Sequence, residues 1–187
     1  MSKPSPKKGY LHVYTGDGKG KTTAALGLAM RALGHKKKVA IIFFDKGGQN
    51  YGERSILKKL KIPFFVTGLN RVIERPNKKN KIGKFRFGVT LQDKVEGGRG
   101  IAIFRNLLKK KYDMIVLDEI NTSIALGVVG HHDFLSALQE WDHSCELICT
   151  GRNASKQLLE MADLVTEMVP QKHYFTKHIP ARKGIEY

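Results

Sequence analysis

From Gly9 onward, short apolar runs alternate with stretches whose apolar positions recur at helical spacing. Tyr10 to Thr15 reads as a first strand, Lys21 to Leu33 as a helix and Val39 to Phe44 as a second strand. Further runs of strand length fall at Phe64 to Val66, Met114 to Leu117, Leu147 to Cys149 and Leu164 to Val169. Such β-α-β alternation predicts an α/β fold, a mostly parallel sheet with helices on both faces. Gly34 follows the first helix where a C-terminal cap belongs. Pro63 and Pro170 stand at element boundaries, where a missing backbone donor does little harm.

One stretch breaks the rhythm. Residues 68–90 carry seven basic side chains, one proline and little periodicity, the mark of a long loop with room for an extra hairpin. Loops of this length in compact domains are usually functional or disordered. Beyond it, Gln92 to Lys111 has a helical apolar pattern in its second half, at Ile101, Phe104, Leu107 and Leu108, while Gly97, Gly98 and Gly100 weaken its start. Residues 1–8 hold two prolines, two serines and three lysines and read as a flexible basic tail. The expected organisation is that tail followed by a single domain over 9–187, with the basic loop inserted at about 68–90.

Composition narrows the classes. Thirty-three Lys plus Arg against 17 Asp plus Glu leaves 33 − 17 = +16, and 41% hydrophobic content is ordinary for a globular chain. Two cysteines are too few for a disulfide framework. The longest apolar run, Val39 to Phe44, falls far short of a membrane span, and MSKPSPKKGY has no apolar export region. The expected setting is therefore a reducing cytoplasm with no membrane contact, and the charge points to polyanionic partners without choosing among them.

Candidate chemistry concentrates in Thr15-Gly16-Asp17-Gly18-Lys19-Gly20-Lys21-Thr22-Thr23, between the first strand and the first helix. The glycines let successive amides converge on phosphate oxygens, and the helix adds its positive N-terminal end. Lys21 is placed to reach phosphate and the Thr22 hydroxyl to ligate Mg²⁺, as in a P-loop. The strict G-x-x-x-x-G-K-[ST] pattern fails only at its first position, where Thr15 stands. A second element, Met114-Ile115-Val116-Leu117-Asp118-Glu119, is an apolar strand ending in two carboxylates, the arrangement that carries an acid to a triphosphate-bound metal. Successive strand residues point to opposite sides. Asp118 and Glu119 can therefore serve the same metal only if the strand ends between them.

Taken in order, TGDGKGKTTAALGLAMRALGHKKKVAIIFFDKGG, YGER, IVLDEIN, ICTGRN, TEMVPQKHYF and GIEY resemble the corrinoid adenosyltransferase family, the ATP:cob(I)alamin adenosyltransferases of the P-loop type. Members of that family begin the phosphate loop with Thr. The resemblance implies a RecA-like P-loop domain acting as a homodimer, with Mg²⁺ as cofactor and ATP as co-substrate laid in reversed orientation so that the ribose C5′ is exposed. It further implies a reduced corrinoid whose Co(I) attacks that carbon, an electron donor that makes Co(I), and release of inorganic triphosphate. Residue by residue, it carries phosphate binding to Gly16, Asp17, Gly18, Lys19, Gly20, Lys21, Thr22 and Thr23. Metal ligation goes to Thr22 and Glu119, catalysis to Lys21, Thr22 and Glu119, and nucleotide contact to Arg31. Arg152 in TGR, with Lys172 and His173, matches further family positions near the site.

Two features depart from the family pattern. Its loop after the third strand carries a Phe and Trp pair that packs on the corrin, whereas here Thr67-Gly68 leads into Leu69-Asn70 and the lysine-rich insertion, and Trp141 lies elsewhere. Phe85 and Phe87 stand as either replacements for that ring or hairpin core. Family members also have a longer N-terminal segment over the partner's corrinoid site, and here eight residues precede Gly9. Other signals have plain readings: Cys145 and Cys149 as small hydrophobes, His131-His132 beside Asp133 as a polar helix start, and Lys36-Lys37-Lys38 as a solvated turn. Two alternatives stay open, a nucleic-acid-associated P-loop ATPase using the basic 71–86 segment, and an ATP-binding relative without corrinoid activity.

Overall fold

Successive side chains of a strand point to opposite faces, and the central apolar runs use both directions to fill two separate cores. The computed structural model describes residues 8–48, 51–70, 72–73, 84–86 and 88–187. In chain order the elements are β1 (Leu11–Thr15), α1 (Lys21–Gly34), β2 (Val39–Phe43), α2 (Gly52–Lys59), β3 (Phe64–Val66), β4 (Val72–Ile73) and β5 (Lys84–Phe85). They continue with α3 (Leu91–Leu108), β6 (Met114–Asp118), α4 (Ile120–Ala125), α5 (His131–Gln139), β7 (Glu146–Thr150), α6 (Lys156–Met161) and β8 (Leu164–Glu167). A 3-10 turn, Tyr174–Lys177, follows. Six strands form one sheet in the order β3-β2-β6-β7-β1-β8, every neighbouring pair parallel.

Val39, Ile41 and Phe43 of β2, Met114 and Val116 of β6 and Ile148 of β7 share one core with Ala25 and Ala29 of α1 and Leu57 of α2. Ala40, Ile42, Ile115, Leu117, Leu147 and Cys149 face the other way, with Leu11 and Val13 of β1. They meet Ile101, Phe104 and Leu107 of α3, and Phe134, Ala137 and Leu138 of α5. Each large side chain taken out of water on either face contributes about 1.5–3 kcal/mol. The α/β expectation, a parallel sheet covered on both faces, therefore holds. Among the described residues no helix is long and apolar enough to cross a membrane.

Several boundaries shift for local reasons. Helix α1 runs through Gly34, and the left-handed position falls at Lys36 (φ 59°). There Lys37 N–H donates to Ala32 O and Lys36 N–H to Leu33 O, closing a Schellman turn on lysine instead of glycine. Helix α5 does begin at His131, but Gly130 occupies the cap position, so no side chain caps it. Trp141 is core, with its indole N–H donated to Cys145 O. Cys145 and Cys149 are both buried and free, and burial pushes the Cys145 thiol up to about 11.

Two of the three glycines that weaken the α3 pattern prove to be packing positions. A Cβ on Gly100 would stand 2.3 Å from Cε1 of the buried Phe44 ring, and one on Gly97 would stand 2.3 Å from Val128 O. At the helix start, Thr90 and Asp93 form a reciprocal capping box, and Arg86 grips the same carboxylate at 2.6 and 2.8 Å. The Arg86 guanidinium and the Thr90 donors hold Asp93 well below the usual carboxylate range. The extra hairpin exists at its base, where β4 and β5 pair antiparallel with Val72 opposite Phe85. Residues 74–83, Phe87, the Phe85 ring and most of the 1–8 tail lie outside the described residues. With them go the aromatic-replacement reading and most of the basic 71–86 segment.

Gly98, by contrast, faces open space. Gly98→Ala is expected to stabilise the protein by about 0.5–1 kcal/mol, whereas Gly100→Ala should cost about 1–3 kcal/mol through overpacking against Phe44. Urea denaturation midpoints of the two variants check both signs.

Candidate active site

The loop between β1 and α1 curls against the end of β8. Gly16 adopts φ 89°, in the left-handed region, and a Cβ there would meet Met168 O at 2.5 Å, so only glycine fits. Gly18 N–H donates to Met168 O at 2.6 Å, and Met168 N–H to Thr15 O at 2.9 Å. Gly20 carries no side chain to cap α1. The first-turn amides of a 14-residue helix are thus left facing the cavity, an arrangement that binds anions. Lys21 is buried beneath the loop, its ammonium donating to Gly16 O at 2.6 Å and Gly18 O at 2.7 Å. Burial lowers its pKa, with the Glu119 charge opposing.

Strand β6 ends at Asp118, and Glu119 turns to φ 62° to start α4. The strand does end between the two acids, which lets both reach one place. Asp118 is 1% exposed. Its Oδ1 accepts from the Thr150 hydroxyl at 2.7 Å, and that hydroxyl in turn accepts from the Glu119 N–H at 2.9 Å. The left-handed turn at Glu119, which costs a non-glycine residue roughly 1–2 kcal/mol, is held by this bond. Thr122 donates to Glu119 Oε2 at 2.6 Å and accepts from the Arg152 N–H at 2.9 Å. The TGR turn is thereby tied to the acid strand.

A cation already stands where these groups meet. The Lys46 ammonium donates to Thr22 Oγ1 and to Asp118 Oδ2, each at 2.6 Å, and lies 3.6 Å from Glu119 Oε1. Burial works against its charge, yet Asp118 and Glu119 more than offset it and its pKa is raised. A hydroxyl oxygen and two carboxylates converging on one positive charge form a donor set of the kind hard divalent cations take. Asp118 is closer to that position than Glu119.

Thr22, Lys46 and Glu119 line a cavity of about 1370 Å³, larger than a typical small-molecule site of roughly 300–1,000 Å³. Its far wall is the C-terminal segment, including Pro170, Phe175 and Ile185. Lys19 donates to Ile185 O at 2.9 Å and Glu186 Oε1 at 3.0 Å, while Tyr174 and Arg182 also bond Glu186.

The profile of the ATP:corrinoid adenosyltransferase BtuR/CobO/CobP family matches residues 7–187. The chain belongs to the ATP:corrinoid adenosyltransferase family. Among its relatives, the corrinoid adenosyltransferase of Escherichia coli is 34% identical over 187 residues, covering 100% of this chain and 90% of the relative. Corrinoid adenosyltransferase CobA of Salmonella typhimurium is 33% identical over 191 residues, with the same coverage. The Pseudomonas aeruginosa enzyme is 31% identical over 183 residues, covering 97% and 85%.

Within this adenosyltransferase the residues named from sequence separate into groups. Thr22 and Glu119 meet at Lys46, Lys21 lies beneath the loop, and Gly16, Asp17, Gly18, Gly20 and Thr23 complete it. Arg152, Lys172 and His173 also border the cavity. Arg152 donates to Asp17 O at 3.3 Å, and His173 Nδ1 caps the 3-10 turn by accepting from Phe175 N–H at 3.0 Å. Lys19 is engaged by the C-terminal segment. Arg31 does not join the cavity lining: it sits exposed on α1 ten residues past Lys21, about 15 Å along the axis. Lys46, Thr150 and Glu186 carry the site's connections and had no assigned role in the sequence. Lys46 and Glu186 lie inside the quoted FFDKGG and GIEY runs, and Thr150 inside ICTGRN.

Thr150→Val is expected to cost about 1–3 kcal/mol, because it strips a buried partner from Asp118 and from the Glu119 amide; thermal unfolding reads the loss. The Tyr174 hydroxyl, Arg182 and Lys19 hold Glu186 below the usual carboxylate range. Its stabilising effect is therefore complete above the unfolded value of about 4.3 and is lost as pH falls toward the lowered folded value. Glu186→Gln should be less stable than wild type at neutral pH, with the two stability curves converging in acid.

Proposed function

We propose that the enzyme transfers the 5′-deoxyadenosyl group of ATP to the Co(I) of a reduced corrinoid and releases inorganic triphosphate. The observation that carries this reading is the cation position shared by Thr22, Asp118 and Glu119 beside the uncapped α1 amides, in a cavity with room for more than a nucleotide. Co(I) supplies both electrons of the new cobalt–carbon bond. The C5′–O bond breaks, and its electron pair leaves with the triphosphate. Such a displacement asks the protein for no nucleophile and no general base. It asks for charge stabilisation on the leaving group, and the loop amides and Lys21 supply it from fixed positions.

Thr22, Asp118 and Glu119 would hold Mg²⁺. Bound there, Mg²⁺ neutralises phosphate oxygens as negative charge gathers on them. The phosphate loop in this reading cradles the group that departs instead of the group transferred. Lys172 and His173, on the segment facing the loop, border the space left for nucleotide and corrinoid. The same reading takes the protein as a cytoplasmic homodimer of single-domain subunits supplied with Co(I) by an electron donor.

Anaerobic incubation with Mg-ATP and chemically reduced corrinoid tests it. Intact triphosphate is expected one-for-one with adenosylated corrinoid. ADP and orthophosphate as the stoichiometric products, with no cobalt–carbon bond formed, would overturn it. Lys21→Ala is expected to lower transfer by about 10²-fold or more while leaving the circular dichroism spectrum unchanged.

A further inference from the structure

We propose that Lys46 is a tethered counter-ion for the metal position, so that its ammonium and a divalent cation occupy Thr22 and Asp118 only in exchange. The inference rests on the metal assignment made above and extends it to the state of the protein without nucleotide.

Three elements deliver oxygen atoms to this one charge. Thr22 comes from the first turn of α1, Asp118 from the end of β6 and Glu119 from the start of α4, at 2.6, 2.6 and 3.6 Å from the Lys46 nitrogen. The contact is sheltered: the Lys46 and Asp118 side chains are 16% and 1% exposed. An ammonium has donors only, and the Lys46 nitrogen stands 2.6 Å from both Thr22 Oγ1 and Asp118 Oδ2. A divalent cation held by the same two oxygens, at roughly 2.0–2.6 Å from each, would fall in the space the ammonium fills. Two positive charges cannot stand there together.

The backbone around Lys46 is fixed while its side chain is long. Arg54, 8% exposed, donates to Gly48 O at 2.6 Å and to Lys46 O. Its guanidinium also lies over the Phe43 and Tyr51 rings, 5.2 and 4.4 Å from their centroids. Gly47 and Gly68 bring the loops after β2 and β3 into backbone contact, since a Cβ on Gly47 would fall 1.8 Å from Leu69 C. Exchange therefore requires rotation of four methylene groups and no rebuilding of the loop. Lys46 borders the large cavity, so the displaced charge remains on the side where an anionic ligand would lie.

The arrangement has a clear electrostatic purpose. An unpaired buried carboxylate is expensive, and Lys46 removes that cost while no metal is present. A free divalent ion must then compete with a covalently attached cation. A metal–nucleotide complex brings anions that can receive the displaced ammonium. Metal alone should bind poorly and metal with nucleotide well.

Mn²⁺ is the probe, read by electron paramagnetic resonance on the full chain without nucleotide or corrinoid. Lys46→Met is expected to bind Mn²⁺ at least tenfold tighter than wild type. Its melting temperature should drop in chelator and recover with Mn²⁺ or Mg²⁺, which leave wild type unmoved. Adding Asp118→Asn to Lys46→Met should abolish both effects. Equal Mn²⁺ affinity in wild type and Lys46→Met, with no metal-dependent shift in melting, overturns the proposal. If the methionine variant folds only with metal, refolding from urea gives the same answer: recovery with Mg²⁺ and none with potassium at equal ionic strength supports exchange, and failure with both overturns it. Mn²⁺ binding by wild type in the presence of ATP tests the metal assignment separately. Its absence would sink that assignment, whereas its presence without the Lys46 effect would sink only the exchange.

Discussion

A single carboxylate buried at the end of the central strand, Asp118, sets the terms for the rest of the site. Burial of a charge is tolerated only with partners in good geometry, and both partners come from strands adjacent to β6. Sheet register places Phe43 of β2 opposite Asp118 and pairs Leu117 with Cys149 of β7. The loop leaving β2 therefore starts beside Asp118 on one side, and Thr150 ends β7 beside it on the other. Lys46 and Thr150 each close on one oxygen. The parallel sheet is thus a positioning device: three strand ends, far apart in sequence, deliver one charge cluster to the mouth of the phosphate loop.

The second constraint is the C-terminal segment. Strand β8 is an edge strand with its side chains exposed, yet its end backs the phosphate loop through Met168 and Thr15. The chain then continues around the cavity and returns at Glu186, which gathers Tyr174, Arg182 and Lys19. Lys19 is consequently a tether between loop and tail. The wall it holds in place carries Phe175 and Ile185, 75% and 58% exposed. Apolar surface of that extent beside a polar phosphate cradle suits a site that must seat something besides a nucleotide.

These two features account for how a nucleotide-binding fold can serve an alkyl transfer. Oriented amides, a lysine beneath a glycine-rich loop and converging acid and hydroxyl oxygens are also the equipment of phosphoryl-transfer enzymes, and such groups stabilise negative charge on phosphate wherever it develops. Which bond breaks is decided by what approaches the nucleotide and from where. The fold's contribution is to set the loop amides and Lys21 on one side of a cavity that stays open on the other.

Local chemistry was enough to place the glycine-rich loop between β1 and α1, because G-K-T between a strand and a helix depends on neighbours within a few residues. Hydrophobic periodicity likewise foretold the parallel sheet, since the central strands have to cover two cores whatever their partners. The split between Asp118 and Glu119 was stated in sequence as a condition, and the backbone met it with a left-handed residue. Strand order was not legible. That Lys46 would meet Thr22 and Asp118, 24 and 72 residues away, follows only from β2 lying next to β6. Arg31 could not be placed from sequence either: the helix that begins at the site carries its later turns away from this cavity. Gly97 and Gly100 of α3 looked like weak helix and turned out to be contact points, because Val128 and Phe44 approach from elsewhere in the chain. Sequence determined which chemistry the chain possesses, since residue type and short-range spacing carry it. Only the tertiary structure decided which charges neutralise one another, since that depends on the distances between strand ends that folding alone creates.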